Sequence, residues 1–363
     1  MKRLLCIVGG MEAGGAETFL MKIYRRLDKT KYQMDFAVAK TEKCFYDDEI
    51  LSMGGRIFHV VPKTKGILKN FISIKEIVRK NNYQNVLRIS QSSISSLELL
   101  AARIGGAKKL ALRSSNTNSC GSKLNQALHY IFRPISNWIV NIKIAPSTEA
   151  GIYMFGKRAT KKGKVIYIRN GLEFEKYAFN NENRKKIREK LNIQDKIVVG
   201  HIGRYSNQKN HKFLLDIMKE LISTSNKYVL LTIGTGPLEE EIKRYAQKLK
   251  IENNIIFYGM SDKANEFFSA FDIIVFPSFY EGMPNVIIES QASGLNSVIS
   301  DTITKEANIT GLVKYMSLSD SANKWANTVK KLYSKKRNNT YNEFKNKGYL
   351  IQNVVDNFVN VMF

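Results

Sequence analysis

Glu281 and Glu289 stand eight positions apart in FPSFYEGMPNVIIESQASG (Phe276–Gly294), a spacing that can place two carboxylates on either side of a strand-to-helix turn. The preceding FDIIVFPS is apolar and β-prone, as a buried parallel strand requires. Tyr280–Asn285 reads as a turn with Gly282 and Pro284 as breakers. Pro284 suits the first helical turn, where its missing N–H costs nothing. Val286–Ser293 then continues as a helix. Glu281 accordingly sits on the loop at the carboxyl end of a strand, and Glu289 about two turns into the next helix. Between them, the backbone of Gly282, Met283, Pro284 and Asn285 and the helix N-terminus offer an anion site. Hydroxyl-binding carboxylates around a phosphate-binding helix end are the layout that a sugar nucleotide needs. Alone, E-x7-E more often marks a surface turn with two solvated glutamates. The strand, turn, proline and helix around it favour the binding site.

A second constellation lies upstream. Lys196–Gly203 (KIVVGHIG) is another apolar strand, and it runs into Arg204-Tyr205-Ser206-Asn207-Gln208-Lys209 before a helix over Lys212–Ser223. Arg204 and Lys209, brought together by the loop, could hold a diphosphate, the first as a planar fork and the second as a point charge. Gly9, Gly10, Gly14 and Gly15 follow the first strand, RLLCIVGG, so the backbone there can approach a phosphate or sugar closely. Their spacing is not G-x-G-x-x-G, and no acidic residue ends a second strand, which argues against a nicotinamide dinucleotide. His59, His129, His201 and His211 are scattered, none with Asp or Glu at metal-ligand spacing, and no D-x-D occurs. Metal-independent chemistry is expected, with protein cations in place of a divalent ion.

The elements that must position these residues alternate between strand and helix, which argues α/β with parallel sheets. In the first half, strands are expected over RLLCIVGG, Gln33–Val38, Arg56–Val61, Asn85–Ile89, Lys109–Arg113, Ile142–Pro146 and Lys164–Ile168. Helices are expected over Ala16–Leu27 and Ser93–Ile104. Lys123–Val140 (KLNQALHYIFRPISNWIV) reads as an amphipathic helical region interrupted near Pro134. Its Tyr130, Phe132 and Trp138 among cations suit either interfacial insertion or packing on its own sheet. A linker follows Asn170, and further strands are expected over Ile197–Ile202, Tyr228–Ile233, Asn254–Tyr258, Ile273–Phe276 and Ser297–Ser300. Ligands in such sheets lie beyond the carboxyl ends of the strands, where all these motifs fall.

Composition narrows the function classes. A chain of 363 residues, 44% hydrophobic, fits two domains of ordinary size with sizeable cores. Cys6, Cys44 and Cys120 are widely spaced and odd in number, which makes neither a disulfide framework nor a metal cluster; a reducing cytoplasm fits. No apolar stretch reaches the roughly 20 residues needed to span a bilayer. Met1–Asn170 carries 30 Lys/Arg against 11 Asp/Glu, and Gly171–Phe363 carries 27 against 21, so +19 of the net +25 belongs to the first half. Such a field attracts an anionic membrane surface or nucleic acid, or serves solubility alone. No aromatic RNA-binding motif, zinc-finger spacing or helix-turn-helix signal supports nucleic acid.

GRYSNQKNH (Gly203–His211), IGTGPLEEEI (Ile233–Ile242), FYGM (Phe257–Met260) and FPSFYEGMPNVIIESQASGL (Phe276–Leu295) together resemble family-4 glycosyltransferases of the GT-B fold. Gly9–Glu17, Asn170-Gly171-Leu172-Glu173, SDTITKEA (Ser300–Ala307) and GYLIQNVVDNF (Gly348–Phe358) extend the resemblance over essentially the whole chain. It implies two doubly wound, Rossmann-like parallel-sheet domains facing across a cleft. The N-terminal acceptor-side domain would be 1–170 and the nucleotide-sugar donor domain 171–345, with a closing helix in 346–363 packing back on the first. It also implies a retaining, metal-independent hexosyltransferase with no cofactor. Its donor would be a nucleotide-diphosphate sugar and its acceptor a glycan or lipid-linked glycan of a cell-surface polysaccharide. The enzyme would be cytoplasmic, peripheral on the inner face of the cytoplasmic membrane.

The resemblance places Gly14 and Gly15 at the donor diphosphate and transferred sugar, with Glu17 nearby, Glu281 on the sugar and Glu289 on the ribose. Arg204 and Lys209 would stabilise the leaving diphosphate. One departure stands out: where polysaccharide-assembly relatives carry H-S-H-N, this chain has Arg113-Ser114-Ser115-Asn116. The missing histidine implies altered sugar choice, replacement by Arg113 or Ser115, or a weakened enzyme. A nucleotide-sugar-binding protein without turnover, or a GT-B phosphorylase or epimerase, are the alternatives.

Overall fold

The short apolar runs form parallel strands in two separate sheets. In the computed structural model, residues 1–115, 123–281, 283–334 and 336–363 are described; Asn116, Cys120 and Gly282 lie outside the described residues. The first sheet comprises β1 (Lys2–Val8), β2 (Tyr32–Val38), β3 (Ile57–His59), β4 (Asn85–Ser90), β5 (Lys109–Ser114), β6 (Ile142–Ala145) and β7 (Val165–Tyr167), in the order β3-β2-β1-β4-β5-β6-β7. The second comprises β8 (Ile197–Ile202), β9 (Tyr228–Ile233), β10 (Ile255–Phe257), β11 (Ile273–Phe276), β12 (Ser297–Ser300) and β13 (Val313–Met316), in the order β10-β9-β8-β11-β12-β13. Every pairing is parallel. β13, unforeseen from its sequence, is an edge strand of four residues that carries an exposed Lys314, and so lacks the continuous apolar run of the central strands.

The chain divides into two units, Met1–Gly171 with Gly348–Phe363, and Leu172–Lys347. The final segment joins the first unit because Ile351–Met362 is an amphipathic helix. Its Ile351, Val354, Val355, Phe358 and Met362 are buried, and Phe358 meets the ring of Phe19 edge-on at 6.3 Å. Phe19 belongs to the first helix, Gly15–Tyr24.

Two helices depart from expectation. Lys123–Ile139 runs through Pro134 without interruption; Pro134 is exposed, so solvent can serve the carbonyl that its missing N–H leaves unbonded. Pro284 is the N-cap rather than part of the first turn. Its ψ of 105° is extended, so helical geometry starts at Asn285 and lasts to Ala292. Glu289 is thus the fifth helical residue, just beyond one turn in.

Each sheet reverses strand order once, between β1 and β4 and between β8 and β11. The second reversal is locked from below by Asp272, a fully buried residue at the foot of β11. The Asp272 carboxylate accepts from the Val198 N–H at 2.8 Å, and the Asp272 N–H donates to the Val198 carbonyl at 2.8 Å. Arg184 and Arg188 neutralise it at 2.6 and 2.5 Å. The register follows, Ile273 opposite Val199 and Ile274 opposite Gly200. At Gly200 a Cβ would lie 2.3 Å from the Phe271 ring, so only glycine lets that phenyl pack. Asp272→Asn would leave the buried Arg188 and the half-buried Arg184 uncompensated and should cost about 3–5 kcal/mol. Urea unfolding followed by emission of Trp325, buried in this unit, checks this; a midpoint equal to the parent's would refute it.

Candidate functional site

Because β8 and β11 are neighbours, the loops after them emerge side by side at the switch point, where ligands of doubly wound sheets bind. The loop after β8 ends in a 3-10 turn, Asn207–Lys209, closed by Asn210 in the left-handed region at φ 53°. Gln208 ties it to the loop after β11: its carbonyl accepts from the Phe279 N–H at 2.9 Å and its Nε2 donates to the Tyr280 carbonyl at 2.9 Å. Lys209 Nζ then reaches Glu281 Oε1 at 2.7 Å. Their side chains are 15% and 10% exposed, accessible to a ligand yet shielded enough for the charges to matter. The structure therefore brings Lys209 and Glu281 together.

Arg204 stands apart from this pair. It is exposed, and among the described residues its guanidinium makes no ion pair. Its backbone is set by the loop after β9. A Cβ at Gly234, whose φ is 140°, would lie 2.2 Å from the Gly203 carbonyl, and one at Gly236 2.4 Å from that of Tyr205. Those two glycines let the β9 loop press against Gly203–Tyr205.

Glu289 is half-buried and engages the phenol of Tyr177, whose pKa is pushed up first by burial and then by that carboxylate. Tyr177 ends the short helix Phe174–Tyr177, more than a hundred positions upstream, and no spacing signal joins the two. Met283 is half-buried against the core and Pro284 is buried. Asn285 opens the helix with no side-chain cap from Pro284, so the positive end of the helix dipole faces the same loop.

Beneath Lys209 lies an uncharged floor. Its ammonium sits 4.5 Å over the Phe276 ring, which stacks on His201 at 5.3 Å. His201 Nδ1 is 2.9 Å from the Val275 carbonyl; a carbonyl only accepts, so Nδ1 carries the proton and Nε2 a lone pair. His211 packs edge-on against His201 at 4.7 Å, and both its ring nitrogens are buried without a hydrogen-bond partner. Burial lowers the pKa of His201 to about 4. It lowers that of His211 to about 2, helped by His201 and Lys209. Both rings are neutral at physiological pH.

The first unit places its own residues at the β1/β4 reversal. Gly14 is the N-cap of Gly15–Tyr24 with extended backbone, φ −88°, and Gly15 has nothing within 4 Å of an added Cβ. Glu17, in the first turn, has its pKa raised by burial. A cluster without sequence signal lies at the same reversal. Glu98 Oε2 takes Arg88 at 2.5 Å and Lys63 at 3.1 Å, and Arg88 donates to the Ile7 carbonyl at 3.0 Å.

Arg113 does not line a site. It is 2% exposed, held by the Ile168 carbonyl at 3.4 Å and Asn170 Oδ1 at 2.8 Å. Its guanidinium lies 3.6 Å from the centroid of the Phe19 ring. Burial brings its pKa down to about 9. It fastens β5 to the end of the first unit. Ser115 is half-buried beside it.

Two doubly wound parallel-sheet units with a polar constellation at the switch point define an α/β protein of the GT-B class. The family described as "Glycosyl transferases group 1" matches residues 183–350. EpsF of Bacillus subtilis, named as a glycosyltransferase, is 33% identical over 90% of this chain and 87% of its own. The Staphylococcus aureus capsular polysaccharide biosynthesis glycosyltransferase CapH is 24% identical over 94% of both chains. In three dimensions, HepE of Anabaena in complex with UDP-glucose superposes over 99% of both chains with a TM-score of 0.75 at 15% identity. The chain belongs to the group 1 glycosyltransferases. Among the described residues no helix is long and apolar enough to cross a membrane.

The neutral imidazoles set a pH dependence. Their folded pKa values lie below the unfolded value, so from pH 6.5 downward the unfolded chain gains protons that the folded chain refuses. Stability is present above pH 6.5 and declines as pH falls towards 4, by up to about 1.4 kcal/mol per pH unit per imidazole. Buried His129 is lowered in the same direction, so His211→Leu removes one of three such imidazoles and should make the slope between pH 6.5 and 5 measurably shallower. Urea midpoints across that window test it, and an unchanged slope would exclude His211 as a source.

Proposed function

We propose that the protein is a retaining glycosyltransferase. It moves a sugar from a nucleotide-diphosphate sugar to a hydroxyl of a growing, lipid-linked cell-surface polysaccharide. The observation that carries this reading is the Lys209–Glu281 pair at the β8/β11 switch point, with an exposed Arg204 earlier on the loop that carries Lys209 and a helix N-terminus after Glu281. UDP-glucose bound to HepE and the polysaccharide named for CapH support the donor class and the product class.

In this reading Glu281 accepts hydrogen bonds from donor-sugar hydroxyls while Lys209, oriented by it, faces the diphosphate. Glu289 takes the ribose hydroxyls, and Arg204 and the Asn285 helix end hold phosphate oxygens. The bond from the anomeric carbon to the diphosphate breaks and the acceptor oxygen bonds to the same face of that carbon. The departing diphosphate oxygen takes the acceptor proton. Charge grows on the leaving group as this happens, so Arg204 and Lys209 act mainly in the transition state. They supply the charge that a divalent ion would otherwise supply. A double displacement through Glu281 fits less well, because Lys209 already engages its Oε1.

A binding protein without turnover is the second reading, favoured by one observation: Arg113, which opens the segment standing where relatives carry H-S-H-N, is buried and held by Ile168 and Asn170. Uridine- and guanosine-diphosphate sugars separate the two. Ligand at 100 times its dissociation constant stabilises by about 2.7 kcal/mol in either case, and only the enzyme releases nucleoside diphosphate.

Arg204→Ala should lower kcat/KM about a hundredfold, near 3 kcal/mol of transition-state stabilisation, with an unchanged melting temperature because the side chain is exposed. Near-parent turnover would remove it from the diphosphate clamp. Glu281→Gln keeps shape and hydrogen bonding, so partial activity with altered sugar preference is expected. A sugar found covalently attached to Glu281 or Glu289 by mass spectrometry would establish double displacement instead.

A further inference from the structure

The helix Lys123–Ile139 is inverted for a surface helix. Towards its own unit it turns polar groups: His129 and Ser136 are buried. His129 accepts from the Ser93 N–H at Nδ1, 3.0 Å, and donates from Nε2 to the Tyr153 carbonyl, 3.1 Å. Asn137 donates to the Phe155 carbonyl at 2.9 Å. Towards solvent it turns Leu124, Leu128, Ile131, Ile135 and Trp138, which are 67, 41, 70, 46 and 73% exposed. Their spacings of four, three, four and three residues put them on one stripe. Hydrogen bonds therefore anchor this helix, and its apolar stripe is left uncovered.

The surroundings are basic. Arg103 lies 5.8 Å over the Trp138 ring and Arg133 5.2 Å over that of Tyr130. A groove of about 870 Å³ beside the helix is lined by Arg133, Lys157 and Arg158 among others, with Glu149 its one carboxylate. From Arg103 to Gly171 the chain carries 13 Lys/Arg and no other acidic residue. A second copy of this face would bring like charges together, so charge complementarity calls for an anionic partner. Trp138 and Tyr130, with apolar bodies and polar tips, belong at a lipid–water boundary.

We propose that this face docks the protein on an anionic lipid bilayer. The helix lies in the plane of the surface, its stripe enters the headgroup boundary and its cations meet lipid phosphates. The inference deepens the lipid-linked-acceptor reading but stands on this helix alone, so the two can fail separately.

Full-length protein should float with vesicles containing phosphatidylglycerol and not with pure phosphatidylcholine. Binding should weaken with salt, since surface attraction decays within about 8 Å at physiological ionic strength. Of the two tryptophans, Trp325 is already buried, so a blue shift on binding reports Trp138. Ile131→Glu with Ile135→Glu should reduce vesicle affinity at least about tenfold at an unchanged melting temperature. Lys157→Glu and Arg158→Glu should each cost about fivefold or more. Transfer to a short soluble acceptor should stay at the parent level in the stripe variant. Absence of transfer in the parent would overturn the reaction reading and leave docking intact. Failure to bind either vesicle, binding indifferent to the stripe variant, or a dimer in sedimentation that Ile131→Glu dissociates would each overturn docking.

Discussion

The buried carboxylate of Asp272 is the constraint on which the candidate site depends. It joins β8 to β11 at their feet through a reciprocal pair of backbone bonds with Val198, and two arginines neutralise it. A one-residue slip between these strands would send alternate side chains to the opposite face. Phe271 would then lose its place over Gly200. With the register fixed, the two loops leave the sheet in step and Lys209 meets Glu281 across a gap of 72 positions. The lock is electrostatic at one end of the strands, and its product is an ion pair at the other.

The floor under that ion pair explains how a lone ammonium is put to use. Phe276 and two neutral imidazoles offer Lys209 no anion from below, and the low polarity there strengthens its interaction with whatever lies above. Without a ligand, that is Glu281. The histidines contribute by staying uncharged, since protonating either beneath Lys209 would add repulsion as well as desolvation.

The first unit uses the same sheet plan for different ends. Its reversal point holds Gly14, whose missing Cβ leaves room for the Glu17 carboxylate, and an open Gly15, beside a compact Arg88–Glu98–Lys63 cluster. Its surface charge is heavily positive, and one of its helices faces solvent with its apolar side. Membership in the group 1 glycosyltransferases accounts for the paired sheets. It does not account for Arg113, which here has become a structural tie between β5 and Asn170 rather than a residue of the site.

Periodicity and punctuation in the sequence determined the element order. Ile197–Ile202, Tyr228–Ile233, Ile273–Phe276 and Ser297–Ser300 are strands over the residues their apolar runs mark, because buried parallel strands need continuous apolar sequence. β13 lies at an edge with one exposed lysine and left no such mark. The motif resemblance singled out Arg204, Lys209, Glu281 and Glu289, and the positions of the first three on loops after strands and of Glu289 on the following helix follow from local sequence alone. Only the tertiary structure decided who meets whom. Lys209 pairs with Glu281 while Arg204 does not, Tyr177 reaches Glu289, and Arg113 is buried. Each depends on strand neighbours and crossovers, which local sequence does not encode. It also decided the facing of Lys123–Ile139: hydrogen bonds of His129 and Asn137 occupy its inner face, and its apolar stripe turns outward.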